Sequence, residues 1–480
     1  MKNTSITLLL LAAMSISCNG NVDNPGPDND PENREYQIII DDTEYQLLRL
    51  GVDLERLWYY WPNQRSALAQ KAAKELNAAY ARVAINPAYE REEGSLNPSA
   101  YENDIIPLMR DLKKLNPEIE FYASPRPLKE AYDKKDAADA EFVSKYFKNG
   151  DPGMFPYPVW VGGNKNVLID RYKRLDKDKM AGYLTDYLNL MGEYGFEISW
   201  MDLTNEYQDF WEGDISTITY IIDEVEKGLD AGVKMPEIIF PSTWSPNDGF
   251  KKFLNVGSVA GNEKEIFNRL GAVSTHNTPD KDIDSFNKED LYRFADAVHA
   301  IDPDKELWNT EMHGWVGVYD PASDIRNSEI LWQHILAGFT GIDTWLFFGS
   351  YDGSGHSMVY SNNNNAPVST AKYEIFKTVV NEVNLGHRIG VSSDNRNVTS
   401  VAMRKDDTIM LVLHNMSDTF YRFEINMPES VSRIRTLNTK LWKERMQNIT
   451  PIESAETDCP VSFTIGIDSS SLIILTMEVE

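Results

Sequence analysis

The chain has 480 residues, enough for one large domain and a smaller one, and 42% of them are hydrophobic, enough to build a buried core. Its formal net charge of -27 argues against a nucleic-acid partner, which is gripped through its phosphates by a basic face. No His-Glu-x-x-His, Cys-x-x-Cys, Gly-x-Gly-x-x-Gly or Gly-x-Ser-x-Gly motif occurs, so the sequence indicates no catalytic metal, no cofactor and no nucleophilic serine elbow.

Residues 1–18 read as an export signal: Lys2, then an apolar stretch from Ile6 to Ala13, too short for an ordinary membrane span, then Met14-Ser15-Ile16-Ser17-Cys18. A cysteine directly after small residues resembles a bacterial lipobox, which implies Cys18 as the lipidated first residue of an outer-membrane lipoprotein. The cell surface is the expected side and the periplasmic face the alternative. Residues 19–34 carry no apolar period and cannot bury enough surface to offset their ordering, so they read as a tether. With Cys18 used as an anchor only Cys459 remains, and the fold is expected to need no disulfide.

From about residue 50, short apolar runs alternate with longer amphipathic ones, the pattern of repeated βα units. Strands are expected at 48–53, 80–85, 119–123, 196–203, 237–241, 271–275, 306–310 and 342–348, with helices among the intervening segments at 66–79, 101–115, 179–194, 216–231, 288–300 and 325–337. Eight such units predict an α/β fold, a (β/α)8 TIM barrel over 50–387, with its functional residues at the carboxyl ends of the strands. After a helix at 370–383 the helical period stops. Short alternating runs at 399–403, 408–414, 421–425, 434–438, 462–465 and 471–477 predict a C-terminal antiparallel β-sandwich over 388–480, which N-terminal strands within 35–49 are expected to join.

Two glutamates close strand-like runs about a hundred residues apart. Asn205-Glu206 ends the fourth run, and Thr310-Glu311 ends the seventh. Strands four and seven face each other across a barrel mouth, so their terminal carboxyls can approach to about 5 Å. Either one alone reads equally well as a solvated loop residue. Together they make a proton donor and a nucleophile, the pair that cleaves glycosidic bonds.

Asn205-Glu206 and Thr310-Glu311 also resemble the acid/base and nucleophile positions of the clan A glycoside hydrolases. The details are most similar to glycoside hydrolase family 30: Phe121-Tyr122-Ala123-Ser124-Pro125-Arg126-Pro127-Leu128-Lys129 resembles its third-strand segment, and Leu307-Trp308-Asn309-Thr310-Glu311 its seventh. Two positions depart from that pattern, Arg126 where tryptophan is commoner and Tyr207 where proline is. The resemblance implies a retaining β-glycoside hydrolase with Glu206 as acid/base and Glu311 as nucleophile. Agarases and porphyranases with the same barrel and sandwich are a second resemblance.

Other residues gain roles by position. Arg82, near the end of the second strand, matches the clan's arginine beside the nucleophile, where a cation keeps a carboxylate ionised. Asn205 suits a sugar 2-hydroxyl. His276, closing the sixth strand, and His313, two residues after Glu311, suit a carboxylate or a sugar hydroxyl, or a structural role. Trp58, Trp244, Trp315 and Trp345, with Trp61 and Trp211, fall at or after strand ends, where indole rings stack on sugar faces or simply pack. The expected partner is a polysaccharide or oligosaccharide, and the expected state a monomer. From another class, a carbohydrate-binding surface lipoprotein on the same scaffold is the alternative, although a pure binder has no need of both carboxylates.

Overall fold

The computed structural model describes residues 34–55, 62–103, 105–126, 157–162, 176–206, 216–254, 263–314, 320–350, 357–361, 366–446 and 449–480. Cys18, Trp58, Trp61, Tyr207, Trp211 and Trp315 lie outside them.

Among the described residues β1 (Glu35–Leu47) comes first and belongs to the sandwich, and the barrel follows. The barrel strands are β2 (Arg49–Leu50), β3 (Val52–Asp53), β4 (Tyr80–Ile85), β5 (Glu120–Pro125), β6 (Trp200–Asp202), β7 (Glu237–Thr243), β8 (Ala272–Thr275), β9 (Glu306–Met312) and β10 (Gly341–Thr344). They pair in parallel in the order β2-β10-β9-β8-β7-β6-β5-β4-β3. Because β2 and β3 are one strand broken at Gly51, these nine segments are an eight-strand closed barrel. The fourth strand is shorter than expected, 200–202 against 196–203, and the eighth stops at Thr344. Phe348 instead opens a small sheet of β11 (Phe348–Ser350), β12 (Val359–Ser361) and β13 (Val368–Ser369).

Alternation along the strands stacks the barrel interior in layers. Tyr80, Tyr122, Trp200, Ile239, Ala272 and Trp308 form an aromatic floor. Trp308 lies 4.9 Å from the Tyr80 ring and 4.6 Å from the Trp200 ring. Two glycines make room for it: a Cβ on Gly341 would stand 2.1 Å from Trp308, and one on Gly51 2.3 Å from Tyr80. Two residues on from Tyr80, Tyr122 and Trp200, the same strands place Arg82, Ser124 and Asp202 one layer higher, because side chains repeat on one face every second residue. The outward faces pack on helices such as Ile105–Leu115, whose Ile105, Ile106, Leu108, Met109 and Leu112 are buried along one stripe.

The sandwich strands after the barrel are β14 (His387–Ser393), β15 (Val398–Lys405), β16 (Thr408–Asn415), β17 (Tyr421–Asn426), β18 (Ile434–Lys443), β19 (Ile452–Cys459), β20 (Ser462–Ile467) and β21 (Ser471–Val479). With β1 they form one continuous nine-stranded sheet, β19-β18-β21-β16-β15-β14-β1-β17-β20, that encloses its own apolar interior. The N-terminal strand does join, and it sits within the sheet, antiparallel to β14 but parallel to β17, so the sheet is mixed where an antiparallel one was expected. Period-2 alternation gives the central strands two jobs. Ile409, Leu411 and Leu413 point into the sandwich core, while Met410 and Val412 join the barrel's core. Cys459 is buried.

Candidate active site

Glu311 lies near the end of β9 and is 6% exposed. Arg82, fully buried on β4, donates from Nη1 to Glu311 Oε1 at 2.5 Å, to Asp53 Oδ2 at 3.1 Å and to the Thr310 carbonyl at 3.2 Å. Its Nη2 donates to Asn205 Oδ1 at 2.7 Å and Ser124 Oγ at 2.9 Å, and stands 3.4 Å from Glu55 Oε2. One guanidinium thus ties together the ends of the first, second, third, fourth and seventh strands. Burial pulls against its charge, but the carboxylates of Glu311, Asp53 and Glu55 outweigh burial and hold the proton on Arg82.

Glu206 follows the short β6. Asp202 accepts the backbone N–H of Thr204 at 2.8 Å and of Asn205 at 3.0 Å, closing a turn in which Asn205 and Glu206 both take positive φ, 40° and 69°. Left-handed backbone at two non-glycine residues costs of order 1–3 kcal/mol each, offset here by Asp202 and by the Glu206 N–H bond to the Ser242 carbonyl at 2.9 Å. The turn aims Glu206 at His276. His276 Nδ1 lies 2.8 Å from Glu206 Oε1 and 3.6 Å from Glu311 Oε2, and its Nε2 is 3.0 Å from Thr310 Oγ1. Thr278 Oγ1 donates to the same Glu206 Oε1 at 2.6 Å. An oxygen of Glu206, an oxygen of Glu311 and a ring nitrogen of His276 all lie within 4.8 Å of one another.

The two sides of this cluster differ electrostatically. Burial raises the Glu311 pKa, but the charges of His276 and Arg82 and a hydrogen bond from His313 overcome it, holding the carboxyl well below the usual carboxylate range. Burial depresses His276, yet the charge of Glu311 and the hydrogen bond to Glu206 win and raise it above the ordinary imidazole value. Asp343 on β10 is pushed well above the carboxylate range by burial and by the neighbouring charge of Asp53, and it accepts a 3.0 Å hydrogen bond from Tyr80.

Of the residues expected from sequence, Glu206, Glu311, Arg82, Asn205, His276 and His313 converge here. His313 Nε2 stands 3.5 Å from Glu311 Oε2, and its ring stacks on Trp345 at 4.7 Å and 18°. Asn205, expected to meet a sugar, turns its Oδ1 to Arg82. Trp244 stands 41% exposed just after β7, and Trp58 and Trp315 lie outside the described residues. Sequence reasoning missed Asp53, Glu55, Thr278, Thr310 and Asp343 as members of the network. Asp53 had a signal, an acid ending an apolar strand-like run; Thr278 had none. Glu206, His276 and Glu311, and likewise Asp53, Glu55 and Glu311, are close enough to hold a cation, but the second set is already engaged by Arg82.

No protein-family model and no curated protein sequence matches the chain. Solved structures do. A glycoside hydrolase family 30 subfamily 8 xylanase from Clostridium acetobutylicum aligns at a TM-score of 0.62 and 14% identity, over 92% of this chain and 99% of the other. The catalytic domain of a family 30 xylanase from Talaromyces cellulolyticus aligns at 0.66 and 12%, over 92% and 99%. An endo-β1,6-glucanase aligns at 0.59 and 15%, over 92% and 94%. The chain therefore has the barrel-plus-sandwich fold of family 30-like clan A glycoside hydrolases.

Proposed function

We propose that this protein is a retaining β-glycoside hydrolase acting on a polysaccharide or oligosaccharide. The observation that carries the reading is the pairing of Glu206 and Glu311 at the barrel mouth, with carboxyl oxygens within 4.8 Å. A gap of that size suits direct attack by one carboxylate, whereas inversion needs about 6.5–9.5 Å to admit a water. Glu311, ionised through Arg82, attacks the anomeric carbon, and Glu206 protonates the departing oxygen. Glu206 then takes a proton from water, which displaces Glu311 from the sugar. The exposed Trp244 and the His313–Trp345 stack are the ring surfaces that would meet sugars.

The test is a polysaccharide panel with product sizing and proton NMR of the first anomer released. β-Xylan and β-1,6-glucan head the panel because enzymes of the same fold act on them, and red-algal galactans test the agarase-like alternative. Retained configuration on any β-linked substrate is the expected result; an inverted first product, or no cleavage with specific binding, overturns it. For location we propose an exported lipoprotein anchored through Cys18. A Cys18→Ser protein is expected to leave the membrane fraction with its specific activity intact.

A further inference from the structure

Glu206 has two oxygens with different surroundings, and the difference bears on how a proton is delivered. Oε1 faces Thr278 Oγ1 at 2.6 Å and His276 Nδ1 at 2.8 Å, while Oε2 makes no hydrogen bond among the described residues. The two neighbours of Oε1 are held by the frame. The Thr278 N–H donates to the Trp244 carbonyl at 3.1 Å and the His276 N–H to the Thr243 carbonyl at 2.7 Å. Between them, Asn277 Nδ2 donates to the His313 carbonyl at 3.0 Å and its Oδ1 accepts the His313 N–H at 2.9 Å, fastening the 276–278 segment to the end of β9. At its far side the imidazole is set by Thr310 Oγ1, which itself rides on the strand that carries Glu311. With Thr310 donating to Nε2, or with the ring protonated, a hydrogen on His276 Nδ1 points at the carboxyls.

Resting on the glycosidase reading, we infer that Thr278 is a positioning residue that, with His276, reserves Oε1 of Glu206 as the anchored oxygen and leaves Oε2 to carry the transferred proton. A proton on Oε1 would force one of two charge-assisted hydrogen bonds to be given up, whereas Oε2 accepts a proton at no such loss. In the first step the Oε2–H bond breaks and its proton goes to the glycosidic oxygen. That oxygen keeps the electron pair of the breaking bond to the anomeric carbon, as a Glu311 oxygen forms the new one. In the second step Oε2 takes a proton from water, the water oxygen bonds the anomeric carbon, and the electron pair of the ester bond returns to Glu311. Oε1 keeps the same two donors throughout, so the carboxylate formed between the steps is stabilised without rearrangement.

The test compares Thr278→Val, Thr278→Ser and Glu206→Gln on two substrates sharing the glycone selected by the polysaccharide panel: the unactivated disaccharide and the 2,4-dinitrophenyl glycoside, whose leaving group needs no proton. Thr278→Val is expected to lower kcat/KM on the disaccharide about tenfold, the loss of one charge-assisted hydrogen bond, while changing kcat/KM on the dinitrophenyl glycoside, which reports the first step alone, less than about twofold. Thr278→Ser, which keeps the hydroxyl, restores the disaccharide rate. Equal losses on both substrates, or a disaccharide rate unmoved in Thr278→Val, overturn the inference and leave the glycosidase reading standing if Glu206→Gln still loses the disaccharide selectively. If Glu206→Gln spares the disaccharide, it is the assignment of Glu206 as the acid that fails.

Discussion

The barrel mouth and the sandwich interior are buried to a similar degree and are built on opposite principles. Inside the sandwich Ile38, Ile40, Leu411, Phe423, Ile425, Phe463, Ile465 and Leu475 belong to one apolar cluster. Each square ångström of apolar surface removed there stabilises the fold by about 25 cal/mol. At the barrel mouth Arg82 is surrounded by Asp53, Glu55 and Glu311, with Asp202 and Asp343 nearby, all of them buried. Desolvating such charges costs several kcal/mol per ion, which their mutual attraction recovers only in part. The contrast teaches where each property resides. The sandwich and barrel walls keep the chain folded, and the charged layer is an energetic liability whose arrangement serves chemistry.

The sharpest way to break that comparison is Glu311→Gln. It removes the nucleophile while keeping an acceptor for Arg82, so activity should fall about 10⁴-fold or more on every substrate, including dinitrophenyl glycosides, with at most a modest fall in melting temperature at pH 7, because the fold favours the ionised carboxyl. A melting temperature that drops sharply would make Glu311 a structural residue. Arg82→Met attacks the same layer from the other side, leaving three carboxylates without their cation. Urea unfolding at pH 7 should show a loss of about 3–5 kcal/mol, and a loss under about 1 kcal/mol would mean that the acids are not held as charges.

Leu411→Ala probes the other region. A cavity in the sandwich should cost about 2–5 kcal/mol, yet kcat measured well below the unfolding midpoint should not change. The smallest effect belongs to Asp343→Asn. An acid whose pKa is raised on folding loses folding stability as pH climbs from the unfolded value toward the folded one. The amide removes that loss, so the variant's gain in urea midpoint should be larger at pH 8 than at pH 5. A gain that is the same at both pH values would show that Asp343 does not titrate differently on folding.

The fold was legible where periodicity was strong. Tyr80–Ile85 is apolar apart from Arg82 and buried throughout, Glu306–Met312 is buried at every residue after the first, and both stand out in the sequence. Two sandwich strands did not. Ile452–Cys459 is an edge strand whose residues are mostly polar and half-exposed, so its alternation carries little hydrophobic contrast. His387–Ser393 begins with a histidine and an arginine and has only two buried residues, so it looks like a continuation of the polar turn before it. At the candidate site the glutamate pair was readable because the two fall near or just past strand ends, and Arg82 because it is the one charge inside an otherwise apolar strand. Thr278 and Thr310 were not, because a threonine's role beside a carboxyl is set by which strands become neighbours, and that is a property of barrel closure.

The position of β1 carries a last consequence, for the order in which this chain can fold. Gln37 bonds Glu424, a partner 387 residues away in sequence, and β1 pairs through Glu35–Ile39 with β17 and through Ile38–Leu47 with β14, strands that emerge only after the barrel has been synthesised. The barrel is in effect an insertion within the sandwich, and β1 must wait unpaired until β14 and β17 arrive. Contacts of such sequence separation form slowly, and a waiting strand is open to wrong partners. Asp41, Asp42 and Glu44, charged and exposed around its bulge, are the kind of residues that keep such a strand from self-association. A fragment beginning at His387 would contain eight of the sheet's nine strands and lack the one that joins its two halves.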